Sequence, residues 1–377
     1  MAATVSWDAL RELAGFRAAK GIAVSFYLNL DPGLTPTAAD AQTRVNSLLS
    51  EATRRLDRND LTHDERQGLK GDLERIRSYF QQDLVRDGAH GLAVFAAELD
   101  NLWRPLTLTE TVGDAVKVNS ELYLTPLIPL VGRGEGALVA VVGRERGEVY
   151  RLRGGRLQPV ADQTEEQPGQ HDQGGWSQAN YQRHIEQLVL EHLNRVADEL
   201  DRLLGRRSEQ IVVVSAENTR STFEGLLSRR ARDSIIGWTT AEAHAGAPEL
   251  LAEAAPVLEA WRVQEEQTAV ERWRDETGRS GRAAAGWEQT LEAASDGRVD
   301  LLLYRDGVEH SAWRCPSCGR LAVADGTCPL DGTRMESTDA GLDLAVHQTL
   351  SNGGTVCAVM ERADLDPVEG IGALLRY

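Results

Sequence analysis

The sequence predicts a multidomain protein of mixed α/β and α+β class. Three observations carry that expectation: a length of 377 residues, an alternation of apolar strand-like runs with amphipathic stretches, and a Cys-rich segment that interrupts the last unit. A chain of this length exceeds one ordinary domain. Its 41% hydrophobic and 26% charged residues give a globular balance with ample material for cores. The reading divides the chain at residues 1–132, 133–278 and 279–377, with an insertion at about 312–336.

The first unit reads as α/β. A helix over Trp7 to Phe16 precedes the strand IAVSFYLNL at 22–30, which Asp31-Pro32-Gly33 stops. Helical stretches follow at about 38–57 and 63–84, the second with Leu69, Leu73, Ile76 and Phe80 on one face. Strands at 91–99 and 103–112 lead to LYLTPLIPLV at 122–131.

In the second unit, residues 136–160 form successive strands joined by Gly-containing turns. The polar stretch ADQTEEQPGQHDQ at 161–173 has no periodicity and reads as an exposed loop. A long helix follows, with Ile185, Leu188, Val189, His192, Leu193, Val196, Leu200 and Leu203 on its less polar side. The strand IVVVSA at 211–216, a helix, and a strand near Ile235 to Trp238 complete a β/α alternation that implies parallel pairing. A last helical region spans about Glu249 to Gly278, and Pro256 is expected to break or kink it. The third unit has a helix near Gly281, the strand VDLLLY at 299–304, a helix over about 340–350, the strand TVCAVM at 355–360 and a Gly-rich end at 370–372.

No run is long enough for a membrane helix, and MAATVSWDAL lacks the basic and apolar regions of a signal peptide, so a cytoplasmic protein with no membrane partner is expected. A net charge of −17 argues against a broad, nonspecific grip on nucleic acid. Arginines at 151, 153 and 156 and at 220, 229, 230 and 232 form local basic groups, read equally as RNA contacts or as solvated surface. His171 and His184 flank Gly174-Gly175 and are candidate bases or RNA contacts, His184 more simply a polar-face residue; the run Glu165-Glu166 reads as loop solubility and Cys357 as a core residue.

The segment Gly174-Gly175-Trp176-Ser177-Gln178-Ala179-Asn180-Tyr181-Gln182-Arg183 lies where the polar loop enters the long helix. Paired glycines let backbone approach a ligand closely. Ser177 is a candidate N-cap, which would leave free N–H groups facing the loop. Such groups hold a water, an ester oxygen or a phosphate; a hinge before a capped helix is the plainer reading.

The order of these residues resembles the peptidyl-tRNA hydrolysis loop of archaeal and eukaryotic class-1 peptide chain release factors. That loop is Gly-Gly-Gln-Ser followed by a helix with Arg-Phe and a later Arg. Gly174, Gly175, Ser177, Tyr181 and Arg183 fall in matching positions, while Trp176 replaces the family Gln and Asn180 its first helical Arg. Gln178 stands two positions beyond the family Gln. The end Gly370-Ile371-Gly372-Ala373-Leu374-Leu375-Arg376-Tyr377 is similar to the Gly-Ile-Gly-Gly-Ile-Leu-Arg-Tyr segment of the family's third domain. AASDGRVDLLLY at 293–304 looks like the entry into that domain. The N-terminal part lacks the family's Asn-Ile-Lys-Ser loop and Tyr/Cys/Phe pattern, so stop-codon reading is not implied.

The resemblance implies a bacterial-type relative, akin to Pelota and Balon, with a ribonuclease H-like central domain. It would act at the ribosomal A site on tRNA or rRNA, and a translational GTPase partner stays open. As a hydrolase it would use Gly174, Gly175 and Gln178 at the ester, with Trp176, Ser177 and Arg183 on RNA. As an A-site occupant without hydrolysis, Trp176 would stack on exposed bases. An RNA-binding protein unrelated to the ribosome is a third reading.

Cys315-Pro316-Ser317-Cys318-Gly319 and Cys328-Pro329-Leu330-Asp331-Gly332 repeat one pattern, with Asp331 where a fourth Cys would stand. Two such knuckles facing each other make a tetrahedral site, and zinc accepts a carboxylate oxygen. A structural zinc on Cys315, Cys318, Cys328 and Asp331 is expected, in a zinc-ribbon-like minidomain. A degenerate ribbon, a disulfide and reactive thiols are the alternatives. The resembled family carries a small metal-binding minidomain at about this place.

Overall fold

A computed structural model of the chain describes residues 5–54, 61–82, 88–131, 136–153, 155–164, 176–205, 209–279, 281–360 and 362–377, the backbone alone over 176–182. They form two compact units: residues 1–131 together with 266–377, and residues 132–265.

The N-terminal part of the first unit runs α1 (Trp7–Ala14), β1 (Ala23–Asn29), α2 (Ala38–Thr53), α3 (His63–Gln82), β2 (Gly91–Ala97), β3 (Leu102–Leu108) and β4 (Ala115–Asn119). Ser6 caps α1, and Thr37 with Asp40 forms a reciprocal capping box at α2. The strands make an antiparallel sheet in the order β3-β2-β1-β4. Strands β1 and β2 are apolar along most of their length because the sheet is covered on both faces. Val24, Phe26, Leu28, Leu92, Val94 and Ala96 pack on α2 and α3, while Ala23, Tyr27, Ala93 and Phe95 point into a core shared with the C-terminal part. The stretch 122–131 holds a 3-10 turn, Thr125–Leu130. Pro126 and Pro129 lack the N–H that a ladder needs.

The second unit holds β5 (Leu138–Val142), β6 (Gly147–Arg153), β7 (Arg156–Asp162), α4 (Trp176–Leu204), β8 (Ile211–Ser215), α5 (Glu217–Leu226), α6 (Arg229–Ser234), β9 (Ile235–Thr239) and the first part of α7 (Ala247–Gly278). Its sheet is ordered β7-β6-β5-β8-β9, with β5-β6-β7 antiparallel and β5-β8-β9 parallel. Leu193, Val196, Leu200 and Leu204 of α4 join Phe223 of α5 and Ala231 of α6 on one face; Leu250, Ala254 and Leu258 of α7 cover the other. Of the break or kink expected at Pro256, the break does not occur: α7 runs through this residue. It sits on the exposed side, where the carbonyl of the exposed Ala252 left without its helical donor faces water. The apolar stripe on the opposite side holds the turns before and after it.

The C-terminal part contributes the end of α7, β10 (Ala283–Ala285), α8 (Gly286–Ser295), β11 (Val299–Arg305), β12 (Ala312–Arg314), β13 (Leu321–Ala322), β14 (Glu336–Thr338), α9 (Gly341–Ser351), β15 (Thr355–Val359) and β16 (Ile371–Leu375). Its main sheet is ordered β10-β16-β11-β15, and β13-β12-β14 form a small separate sheet. Val270 and Trp273 of α7 pack with Leu303 and Leu374 on one face. On the other, Leu302, Tyr304, Ile371 and Ala373 join Trp287, Leu291, Leu342, Val346 and the N-terminal residues Tyr27 and Phe95. Gly370 turns the chain with φ +79. Gly372 lies against Trp273, whose Nε1 would be 2.6 Å from an added Cβ.

Candidate functional site

The two Cys-rich knuckles fold alike. Cys315 N–H donates to the Arg320 carbonyl at 2.8 Å and Gly319 N–H to the Cys315 carbonyl at 2.9 Å. Cys328 N–H donates to the Thr333 carbonyl at 2.8 Å and Gly332 N–H to the Cys328 carbonyl at 2.9 Å. Each loop closes through a glycine at positive φ, +79 at Gly319 and +73 at Gly332, which explains why Gly follows both second ligand positions.

The folded loops bring together all four residues expected as ligands. The donor atoms of Cys315, Cys318, Cys328 and Asp331 lie within 4.8 Å of one another. Cys318 Sγ is 3.5 Å from Cys328 Sγ, and Cys315 Sγ is 3.5 and 3.6 Å from the Asp331 oxygens. Sulfurs about 2.3 Å from one tetrahedral ion would stand roughly 3.8 Å apart, so the cluster is close to that spacing. The Thr333 N–H bonds Asp331 Oδ1 at 3.0 Å and holds its carboxyl well below the usual carboxylate range. Cys315 loses solvent but accepts the Cys318 N–H at 3.4 Å, and the balance lowers its thiol. The Arg320 backbone favours the Cys318 thiolate, yet burial and the adjacent sulfurs push that thiol up to about 11. Crowded donors of this kind fit a cation, which would relieve their mutual repulsion. Cys357 is not among them; it lies half-buried in β15 against the core.

Arg314, directly before the first knuckle, donates both terminal nitrogens to Glu121, Nη1 to Oε2 at 2.8 Å. Glu121 also takes Ser120 Oγ at 2.8 Å and Arg17 Nε at 3.3 Å. Burial opposes its charge, but Arg314 holds it below the ordinary glutamate value. Beside this pair lies a cavity of about 170 Å³ lined by Ser120, Glu121, Tyr123, Arg314, Thr338 and Asp343, among others. Glu121 and Arg314 carry no motif, and their separation of 193 positions hides the pairing from the sequence.

Gly174 and Gly175 lie outside the described residues, as do Glu165, Glu166 and His171. The described part of helix α4 runs from Trp176 and includes Ser177, whose side chain and expected capping role lie outside the described residues. Gln178 follows on the same turn, and Arg183 and His184 are exposed on α4. The helix rests on β6 at Gly147, where an added Cβ would meet Val196 Cγ2 at 2.7 Å and His192 Cε1 at 2.9 Å.

Most of the basic group around α5 and α6 is occupied within the fold. Arg230 donates to the Leu204 carbonyl, and Arg232 Nε and Nη2 donate to the Leu227 carbonyl at 3.1 and 2.9 Å, satisfying helix ends. Arg220 stacks 4.7 Å over Trp238 and pairs with Glu224, and Arg229 pairs with Asp233. Arg151 pairs with Glu209 at 2.8 Å. Among the described residues, no helix is long and apolar enough to cross a membrane.

Comparison with known proteins gives a consistent set of matches. The peptide chain release factor subunit 1 of Archaeoglobus fulgidus is 23% identical over 357 residues, covering 88% of this chain and 84% of that protein. Four further archaeal proteins of the same description align over only about half of their own length. Among solved structures, an archaeal translation termination factor aligns at 18% identity over 99% of both chains with a TM-score of 0.27. A ribosome-bound archaeal Pelota aligns at 13% identity over 76% of both chains with a TM-score of 0.40. Residues 123–259 match the family described as Bacterial archaeo-eukaryotic release factor family 10.

Proposed function

We propose that this protein is a ribosome-associated translation factor of release-factor type, hydrolysing peptidyl-tRNA through the Gly174-Gly175-Trp176-Ser177-Gln178 loop. The observation that carries the reading is the alignment with the Archaeoglobus fulgidus release factor subunit over 88% of this chain. The three-domain division at 1–132, 133–278 and 279–377 belongs to the same proposal. The sheet order β7-β6-β5-β8-β9 supports a ribonuclease H-like central domain.

In this reading the loop backbone and Gln178 orient a water against the ester of peptidyl-tRNA in the A-site region. The ester is already activated, so positioning and oxyanion stabilisation suffice without a strong base. Ser177 and Arg183 would contact tRNA or rRNA. The cluster of Cys315, Cys318, Cys328 and Asp331 would hold one zinc ion; four protein ligands leave it a structural role. A translational GTPase is a further candidate partner that the resemblance leaves open.

Trp176 favours a second reading, in which the protein occupies the A site without hydrolysis and Trp176 stacks on an unpaired base. One experiment separates the two. Purified protein is added to ribosomes carrying peptidyl-tRNA, and both release and co-sedimentation are measured. A hydrolase releases peptide, and Gln178→Ala slows release with little loss of binding. An occupant releases nothing at any concentration, and Trp176→Ala weakens its binding by about 1–3 kcal/mol. Under either reading co-sedimentation falls as salt rises, because phosphate contacts release counterions. Absence from vacant and loaded ribosomes alike refutes both.

A further inference from the structure

We propose that the metal cluster is a latch that holds the N-terminal sheet on the C-terminal part of the same unit, with Arg314 as its bolt. The inference rests on the metal reading above and adds a consequence to it. Arg314 ends β12, and the next residue is the ligand Cys315. Its two terminal nitrogens grip Glu121, which follows β4 of the N-terminal sheet. Glu121 is 9% exposed and also meets Arg17, so this contact gathers N-terminal and C-terminal segments at one buried carboxylate.

The first knuckle is tied on its other sides to the C-terminal helices. Arg320 Nη1 pairs with Asp296 at 2.7 Å, Leu321 N–H donates to Ser295 Oγ at 2.9 Å, and Gln348 Nε2 donates to the Gly319 carbonyl at 2.7 Å. The strands that carry it are very short: β12 has three residues and β13 two. Strands of this length do not hold a shape by themselves. An ion that joins Cys315 and Cys318 to Cys328 and Asp331 would give the minidomain the rigidity its ladders lack, and with it a fixed aim for Arg314. Loss of the ion removes the link that ties Cys315 and Cys318 to Cys328 and Asp331, whose donors lie within 4.8 Å of one another, so the knuckle loosens at the residue beside the bolt.

The test is amide hydrogen exchange on the full-length protein, with metal content read in parallel by elemental analysis. Chelation of the metal-loaded protein is expected to raise exchange at least tenfold over residues 115–124, while β5 and β8 of the other unit stay protected. Glu121→Gln and, as an independent variant, Arg314→Lys should reproduce the rise over 115–124 with the metal still bound. Chelating Glu121→Gln should then add less than a further twofold. Protection of 115–124 that survives chelation, or that survives both substitutions, overturns the latch and leaves the metal reading intact. A protein that takes up no zinc when the ion is supplied overturns both.

Discussion

Asp343 sits on α9, where the Thr125 hydroxyl from the N-terminal part donates to its Oδ1 at 2.6 Å. Burial pushes this carboxyl up to about 6; the Thr125 bond and Lys117 pull it down, and Glu309 opposes them. A folded-state value above the unfolded one means that the native protein binds the proton more tightly. The stabilisation from this group is therefore complete below the unfolded value near 3.8 and is lost as pH rises through about 6. Asp343→Asn keeps an acceptor for Thr125 and removes that loss. The variant should exceed the parent in urea resistance at pH 8 and match it near pH 4, by at most about 1.4 kcal/mol per pKa unit shifted. Glu121, whose value is lowered, works in the opposite sense, but it is present in both proteins and cancels in their difference. At the cluster, Cys315→Ser should abolish stoichiometric zinc whereas Cys357→Ser keeps it, read by elemental analysis. The cluster was legible from the sequence because a duplicated Cys-Pro-x-Cys/Asp-Gly pattern encodes its own geometry. The Glu121–Arg314 pair was not, because no local rule ties two residues brought together only by tertiary packing.

Helices and strands with a clear apolar period fall within a few residues of where the pattern places them, as α3, α4, β8 and β11 show. Strand β4 is not legible in the sequence because AVKVN is only five residues long and carries two polar side chains, Lys117 and Asn119. For a different reason Pro256 does not end α7: the steric rule says nothing of which helix face the ring occupies. The glycines of Gly370-Ile371-Gly372 have a physical cause in the structure, in the turn at Gly370 and the Trp273 ring against Gly372. Trp273 is fixed by Nε1 donating to the Ala284 carbonyl at 2.9 Å, so it cannot yield freely. Gly372→Ala should cost about 1–3 kcal/mol, measured by equilibrium denaturation. In combination with Trp273→Leu the two effects should fall well short of additive, since the second change removes the obstacle.

At the scale of the molecule, the continuous apolar runs of β1 and β2 announce a sheet covered on both faces, yet nothing in them names the second cover. Much of that cover comes from beyond residue 280, with Trp287, Leu342 and Val346 joining Leu10 and Leu13 of α1. A variant lacking residues 1–131 should consequently expose this core, bind a hydrophobic dye and lose cooperative unfolding, while supplying 1–131 in trans should reverse the dye signal. The same shared core has a consequence for synthesis. The sheet that receives the N-terminal face needs β16, which lies between β10 and β11 and is made last among them. At about 5–20 residues per second, making residues 132–377, which end with β16, takes roughly 12–49 s. Throughout that time Tyr27, Phe95 and Leu127 belong to a nascent surface still waiting for its other half, and a chaperone that shields apolar chains would find its client there.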